Sequence, residues 1–177
     1  MRLTALGPMV CLCGILCGPA TTVVGAQSLD DATILALFDQ ANGVDIVMGR
    51  LGWQRGHADE VKALARQVAA DHEGVQQQGR QLARKLGLVP TLPAGDMGLS
   101  DQAKTLIRLR TLPPESFDRA YLANEAAFHA GVIDAVKTAL IPAARSPELR
   151  ALLEAVLPAF QHHLDATRAV AARLHLE

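Results

Sequence analysis

From Leu29 to the C-terminus, apolar residues recur at intervals of three and four, and Ala, Leu, Gln, Arg and Glu dominate. That period lays an apolar stripe along one side of an α-helix, whereas the alternation of a half-buried strand is almost absent. The pattern predicts a first helix over about 30–55, capped by Ser28 or Asp30, and a second over about 58–86, stopped by Gly87 with Pro90 beyond it. Residues 88–98 (LVPTLPAGDMG) read as a Pro/Gly-rich loop, and Ser100-Asp101 as the cap of a short helix to about Leu112. Pro113-Pro114 ends that helix and opens a third long one, about Glu115 to Leu140; residues 141–145 read as a turn. Ser146 is then a cap with Pro147 at the first helical position, and the last helix runs to the C-terminus. Two long helices, a connection long enough to cross over, and two more long helices predict an all-α fold. Its architecture reads as a ferritin-like four-helix bundle with a short extra helix in the crossover; a simple up-down bundle is the alternative. Glycines within the helices (Gly49, Gly52, Gly74, Gly79, Gly131) cost about 1 kcal/mol each in propensity and predict close helix packing.

Stepping by four and three along each helix gives the stripe that faces the core. The first helix contributes Ile34, Phe38, Ala41, Asp45, Met48 and Gly52; the second runs through Val61, Ala65, Val68, His72, Val75 and Gly79. The third contributes Leu122, Glu125, His129, Val132 and Val136, and the last contains Leu153, Val156, Phe160, His163, Thr167 and Val170. Each stripe is apolar or small except for an ionisable group near its middle: Asp45, His72, Glu125 with His129, and His163. Midpoints of helices of similar length fall at one level, so these side chains are expected to converge. A buried ionisable group is costly unless paired, neutralised or bound to metal. Three imidazoles with one or two carboxylates suit a transition metal, Zn, Fe, Cu or Ni. The competing reading is a hydrogen-bonded His/carboxylate cluster without metal.

The remaining titratable residues read differently. His162 lies one position off the stripe and reads as a surface residue; His57 and His175 fall at helix ends in solvent. Asp71 is placed to orient His72 only if the helix turns that way. Tyr121 is read as core packing with a wet hydroxyl, and Pro158 as interrupting the last helix just before His163.

Residues 1–26 (MRLTALGPMVCLCGILCGPATTVVGA) depart from this pattern: Arg2 is their single charge, an apolar run follows, and Val24-Gly25-Ala26 precedes Gln27. This is the layout of a secretory signal peptide cut after Ala26, leaving 27–177 as the bundle domain. An uncleaved anchor is the alternative, but the run is broken by glycine and proline and is shorter than the roughly 20 residues a spanning helix needs. Lipidation would use Cys11, Cys13 or Cys17, none of which has the usual flanking residues. All three cysteines of the chain lie in this stretch, so cleavage leaves no thiolate for a disulfide or metal site. The expected location is periplasmic or secreted, with no transmembrane segment in the mature chain.

Composition then narrows the classes. Of 177 residues, 50% are hydrophobic and 3% aromatic, and 17 Lys+Arg stand against 18 Asp+Glu. The near-neutral balance and scarce aromatics argue against a nucleic-acid partner. An envelope protein or a second copy of the chain stays open as a partner. No Gly-rich phosphate loop, Ser-His-Asp order or thiol nucleophile is visible.

Val61-Lys62 leading to Asp71-His72, then Phe117-Asp118-Arg119-Ala120-Tyr121 with His129, then Leu157-Pro158 with His163-Leu164, resembles the Domain of Unknown Function 4142 family over roughly Asp31 to Arg173. The resemblance implies an exported helical bundle and supplies no activity. True di-iron bundles carry two Glu-x-x-His pairs. Here Ala69 and Phe160 stand three before His72 and His163, and Glu125 precedes His129 by four, so one mononuclear site is the better reading. The expectation is a secreted or periplasmic metal-binding bundle of unknown activity. A structural envelope or stress protein whose polar core fixes helix register is the runner-up, and a metalloenzyme is third.

Overall fold

The computed structural model describes residues 29–177, and the expected signal peptide lies outside them. The described chain is helical: α1 Asp31–Arg55, α2 Asp59–Lys85, α3 Gly98–Thr111 and α4 Pro114–Ala135 come first. A π-helical segment, Val136–Leu140, continues α4 into the short α5 Ile141–Ala143, and α6 Pro147–Arg173 follows. The starts of α1 and α6 are those the caps predict. Asp30 Oδ1 accepts from the Thr33 N–H at 2.8 Å, and Ser146 Oγ from the Leu149 N–H at 3.3 Å. The start of α3 is not: it begins at Gly98, two residues ahead of Ser100, with Met97 as its uncapped N-cap. Residues 141–143, expected in a turn, are instead helical and close the run that begins with α4.

Contacts at the helix ends fix how the elements run. At the end of α1, Arg55 lies over the Phe117 ring of α4 at 5.5 Å and donates to the carbonyls of Arg110 and Leu112. At its start, Asp31 accepts from the Arg145 and Ser146 N–H groups at 2.8 and 2.9 Å, just before α6. Lys85 at the end of α2 meets Glu148 of α6 at 3.1 Å. α1 packs along α2 and α4 along α6, while α2 also meets α6 and α1 meets α4. α3 lies along the outside, with Leu109 fully buried and Gln102 donating to the Val44 carbonyl.

The core is in two apolar parts. One holds Ile34, Phe38, Ile133, Leu149, Leu153 and Phe160; the other Met48, Val61, Val68, Tyr121, Leu122 and Val170. On each long helix the polar stripe residue falls between them, so apolar packing closes the site from above and below. Close approach is made at Gly49, where a Cβ would sit 2.7 Å from the Ala65 carbonyl, and at Gly52, where it would overlap the Tyr121 ring. Gly79 packs on Phe38, but Gly74 and Gly131 face open space, so close packing does not account for those two.

Candidate metal centre

Asp45, His72, Glu125, His129 and His163 are all buried, at most 2% exposed. His72 Nε2 and His129 Nε2 converge on Asp45 Oδ2 at 2.9 and 3.1 Å. One ligand atom each from His72, His129 and His163 lies within 4.8 Å of the others, and the same holds for Asp45, Glu125 and His129. His129 belongs to both groups and sits at the centre.

The tautomers follow from the neighbours. Asn42 gives its amide N–H to the Phe38 carbonyl at 2.7 Å, so its oxygen faces His72 Nδ1 at 2.8 Å and must accept from it. His129 Nδ1 lies 3.0 Å from the Glu125 carbonyl, which can only accept. Each imidazole thus carries a hydrogen on Nδ1, and when neutral it directs a bare Nε2 at Asp45. His163 is turned the other way: Nε2 meets the half-exposed Asp71 carboxylate at 3.0 Å, leaving Nδ1 buried without a partner. Fixing one ring nitrogen so that the other presents its lone pair is what neighbours of metal-ligating histidines do. Both Glu125 carboxyl oxygens and the Tyr121 and Thr167 hydroxyls are also buried without a hydrogen-bond partner.

Charge explains the rest of the arrangement. Burial pushes the Asp45 carboxyl upward, but the His129 and His72 imidazoles outweigh it and hold the group well below the usual carboxylate range. Glu125 moves the opposite way: burial, and then the Asp45 charge beside it, raise its pKa well above the ordinary value. Burial works against a charged His129, yet the Asp45 contact prevails and raises it. His163 is lowered, chiefly by burial. Asp45 is therefore the resident anion, and Glu125 keeps its proton above the usual carboxylate range. A buried set of imidazole nitrogens and carboxylates with lone pairs turned inward is compatible with metal binding.

A family model described as a domain of unknown function, DUF4142, matches residues 18–170. The chain belongs to that family. Among curated proteins none matches in sequence. Among solved structures the DUF4142 chain is similar to "CopM in the Cu(II)-bound form", with TM-score 0.63 and 16% identity over 82% of this chain and 98% of that one. At that identity the likeness concerns the fold.

The motif residues of this DUF4142 chain divide between site and scaffold. Asp71-His72 serves two partners, because consecutive helical residues point about 100° apart: His72 faces Asp45, and Asp71 reaches His163 rather than orienting His72. Asp118 accepts from the His57 and Ala58 N–H groups at 2.9 and 2.8 Å, tying the turn just before α2 to α4, while Ala58 itself caps nothing with its side chain. Tyr121 packs beside Gly52 with its hydroxyl buried, not wet. His57, His162 and His175 are exposed, as read from their positions; Pro158, read as interrupting the last helix, is exposed and α6 continues through it. Asn42 escaped the sequence reading. It sits beside Ala41, which took its place on the stripe, and the signal was a polar side chain one turn before Asp45.

Proposed function

We propose that this chain is a metal-binding protein of an exported compartment, its mature domain spanning 27–177. In this reading one transition-metal ion is held by His72, His129 and His163 with Asp45, and Glu125 becomes a ligand when it gives up its proton. The fold reading is a ferritin-like four-helix bundle. The end contacts favour it: α1 and α6 run one way and α2 and α4 the other, with the α3 connection crossing the bundle's length. Copper is the first metal to try, because the similar structure is titled as a Cu(II)-bound form and a donor set of imidazole and carboxylate suits that ion. Export would agree with the signal-like residues 1–26.

The observation that carries the reading is the bare, inward-facing nitrogen of His163 beside the two imidazoles aimed at Asp45. A metal-free polar core would satisfy Asp45 by protonating one imidazole. It would leave His163 Nδ1 and both Glu125 oxygens unpaired in the interior, a penalty of about 1–3 kcal/mol per group. Elemental analysis after Cu(II) or Zn(II) loading and dialysis tests it. One ion per chain in the wild type and loss of most of it in His129→Ala, with helix content kept, is the expected outcome. No retained metal, or equal retention in both proteins, refutes it.

A further inference from the structure

The five cluster residues are buried, so a metal ion has to pass protein to reach them. Two sides of the bundle offer a way in. Between α1 and α4 a cavity of about 220 Å³ touches Asp45, His72 and His129. Its other walls are largely apolar, among them Phe38, Phe128, Val136 and Phe160. A hydrated cation entering there would shed its water against hydrocarbon before meeting a ligand, which is costly.

The other side, where α2 meets α6, is built differently. There His163 Nε2 donates to Asp71 Oδ2 at 3.0 Å, and the Asp71 side chain is 47% exposed. His72 is held by the buried Asn42 oxygen and His129 by the Glu125 carbonyl. Of the three imidazoles, His163 alone is held by a carboxylate that water reaches. Releasing its ring breaks one hydrogen bond that water replaces, whereas releasing His72 or His129 strands a buried acceptor. His163 Nδ1, behind that contact, is buried without a partner. The charge of Asp71 is also uncompensated. Asp39, Glu73 and Glu148 each pair with an arginine or lysine, but among the described residues Asp71 pairs with neither.

We propose that metal ions enter and leave the cluster between α2 and α6. The Asp71 carboxylate draws the cation from solvent and positions His163, the first ligand to receive it. The proposal rests on the metal reading above and adds the route to that site.

Stopped-flow mixing of metal-free protein with glycine-buffered Cu(II) measures uptake, and EDTA chase of the loaded protein measures release. Glycine keeps the exposed histidines from holding the ion. Asp71→Asn keeps an acceptor for His163 but removes the charge. Uptake is expected to slow about threefold to tenfold and to lose most of its salt dependence, with release near the wild-type rate. Asp71→Ala removes charge and acceptor, so uptake slows equally and release quickens. Its affinity should fall about tenfold to a hundredfold, as when other neighbours of ligating histidines are removed. Ala135→Trp places a bulky ring at the exposed edge of the α1/α4 cavity and is expected to change neither rate. Should Asp71→Ala lose helix content, the uptake rate and salt dependence of Asp71→Asn decide. Wild-type rates in the Asp71 variants, or slower uptake in Ala135→Trp, overturn the proposal and leave the metal reading standing. A wild type that retains no Cu(II) refutes the metal reading and this route with it.

Discussion

Glu125 shows how much of the site is decided by single side chains. Its carboxyl is buried beside the Asp45 charge, so the folded chain keeps a proton on it that the unfolded chain releases above about pH 4.5. Folding therefore loses stability as pH rises from that value toward the raised folded pKa. Glu125→Gln removes the titration and places an amide donor next to Asp45. Metal-free Glu125→Gln is expected to be more stable than wild type by about 1–3 kcal/mol near pH 7.5, with the gap closing near pH 4.5. Urea titrations at the two pH values check the first half. Metal affinity should fall in the same variant, and equal metal affinity would remove Glu125 from the ligand set. That the five polar side chains face one another could be read from the three-four step of each helix. Asn42 and the Asp71–His163 contact could not, because both depend on how far each helix is rotated about its axis, which the stripe leaves open by one position.

Among the elements, the long helices were legible because their apolar period and their caps agree. The details that escaped involve contacts between elements. Nothing in the composition of Val136–Leu140 distinguishes a π-helical stretch from ordinary helix. The sequence around Ala58 offers no cap, and Asp118 of α4 instead ties down the turn just before α2 by accepting from the His57 and Ala58 N–H groups. The carboxylate also sits at the positive end of the α2 dipole. Asp118→Ala leaves both N–H groups without their acceptor and is expected to cost about 1–3 kcal/mol of unfolding free energy. Asp118→Asn should recover part of it. Chemical denaturation measures the loss, and metal stoichiometry measured alongside should be unchanged, since Asp118 holds α2 in place far from His72. A wild-type midpoint in Asp118→Ala would mean that the turn before α2 needs no anchor from α4.

At the scale of the whole molecule, the candidate ligands join elements far apart in sequence: Asp45 on α1, His72 on α2, Glu125 and His129 on α4, and His163 on α6. An ion held by all of them binds only the folded chain, so it stabilises the fold by mass action. Metal and protons compete for the same lone pairs, and the metal-free and metal-loaded proteins should therefore respond to pH in opposite directions. Without metal, His129 has a raised pKa through its contact with Asp45, so the stability that pair adds is fully present below about pH 6.5. It is lost as pH rises through the folded value, and Glu125 adds a loss of the same sign. His163, lowered by burial, works the other way: below its ordinary value the unfolded chain takes up the proton more readily, so its contribution grows as pH rises toward about 6.5 and is complete there. Above that pH the direction of the metal-free protein is set by His129 and Glu125, and its melting temperature should fall toward about pH 8.5. With metal, each imidazole must be neutral to ligate, so the metal-induced rise in melting temperature should grow over the same interval and shrink below about pH 6. Binding near neutrality should also release protons, from Glu125 and His129 first, and calorimetry in two buffers of different ionisation enthalpy counts them. Parallel melting curves for the two forms across this range, with no proton released, would show that the bound ion sits elsewhere than on these imidazoles.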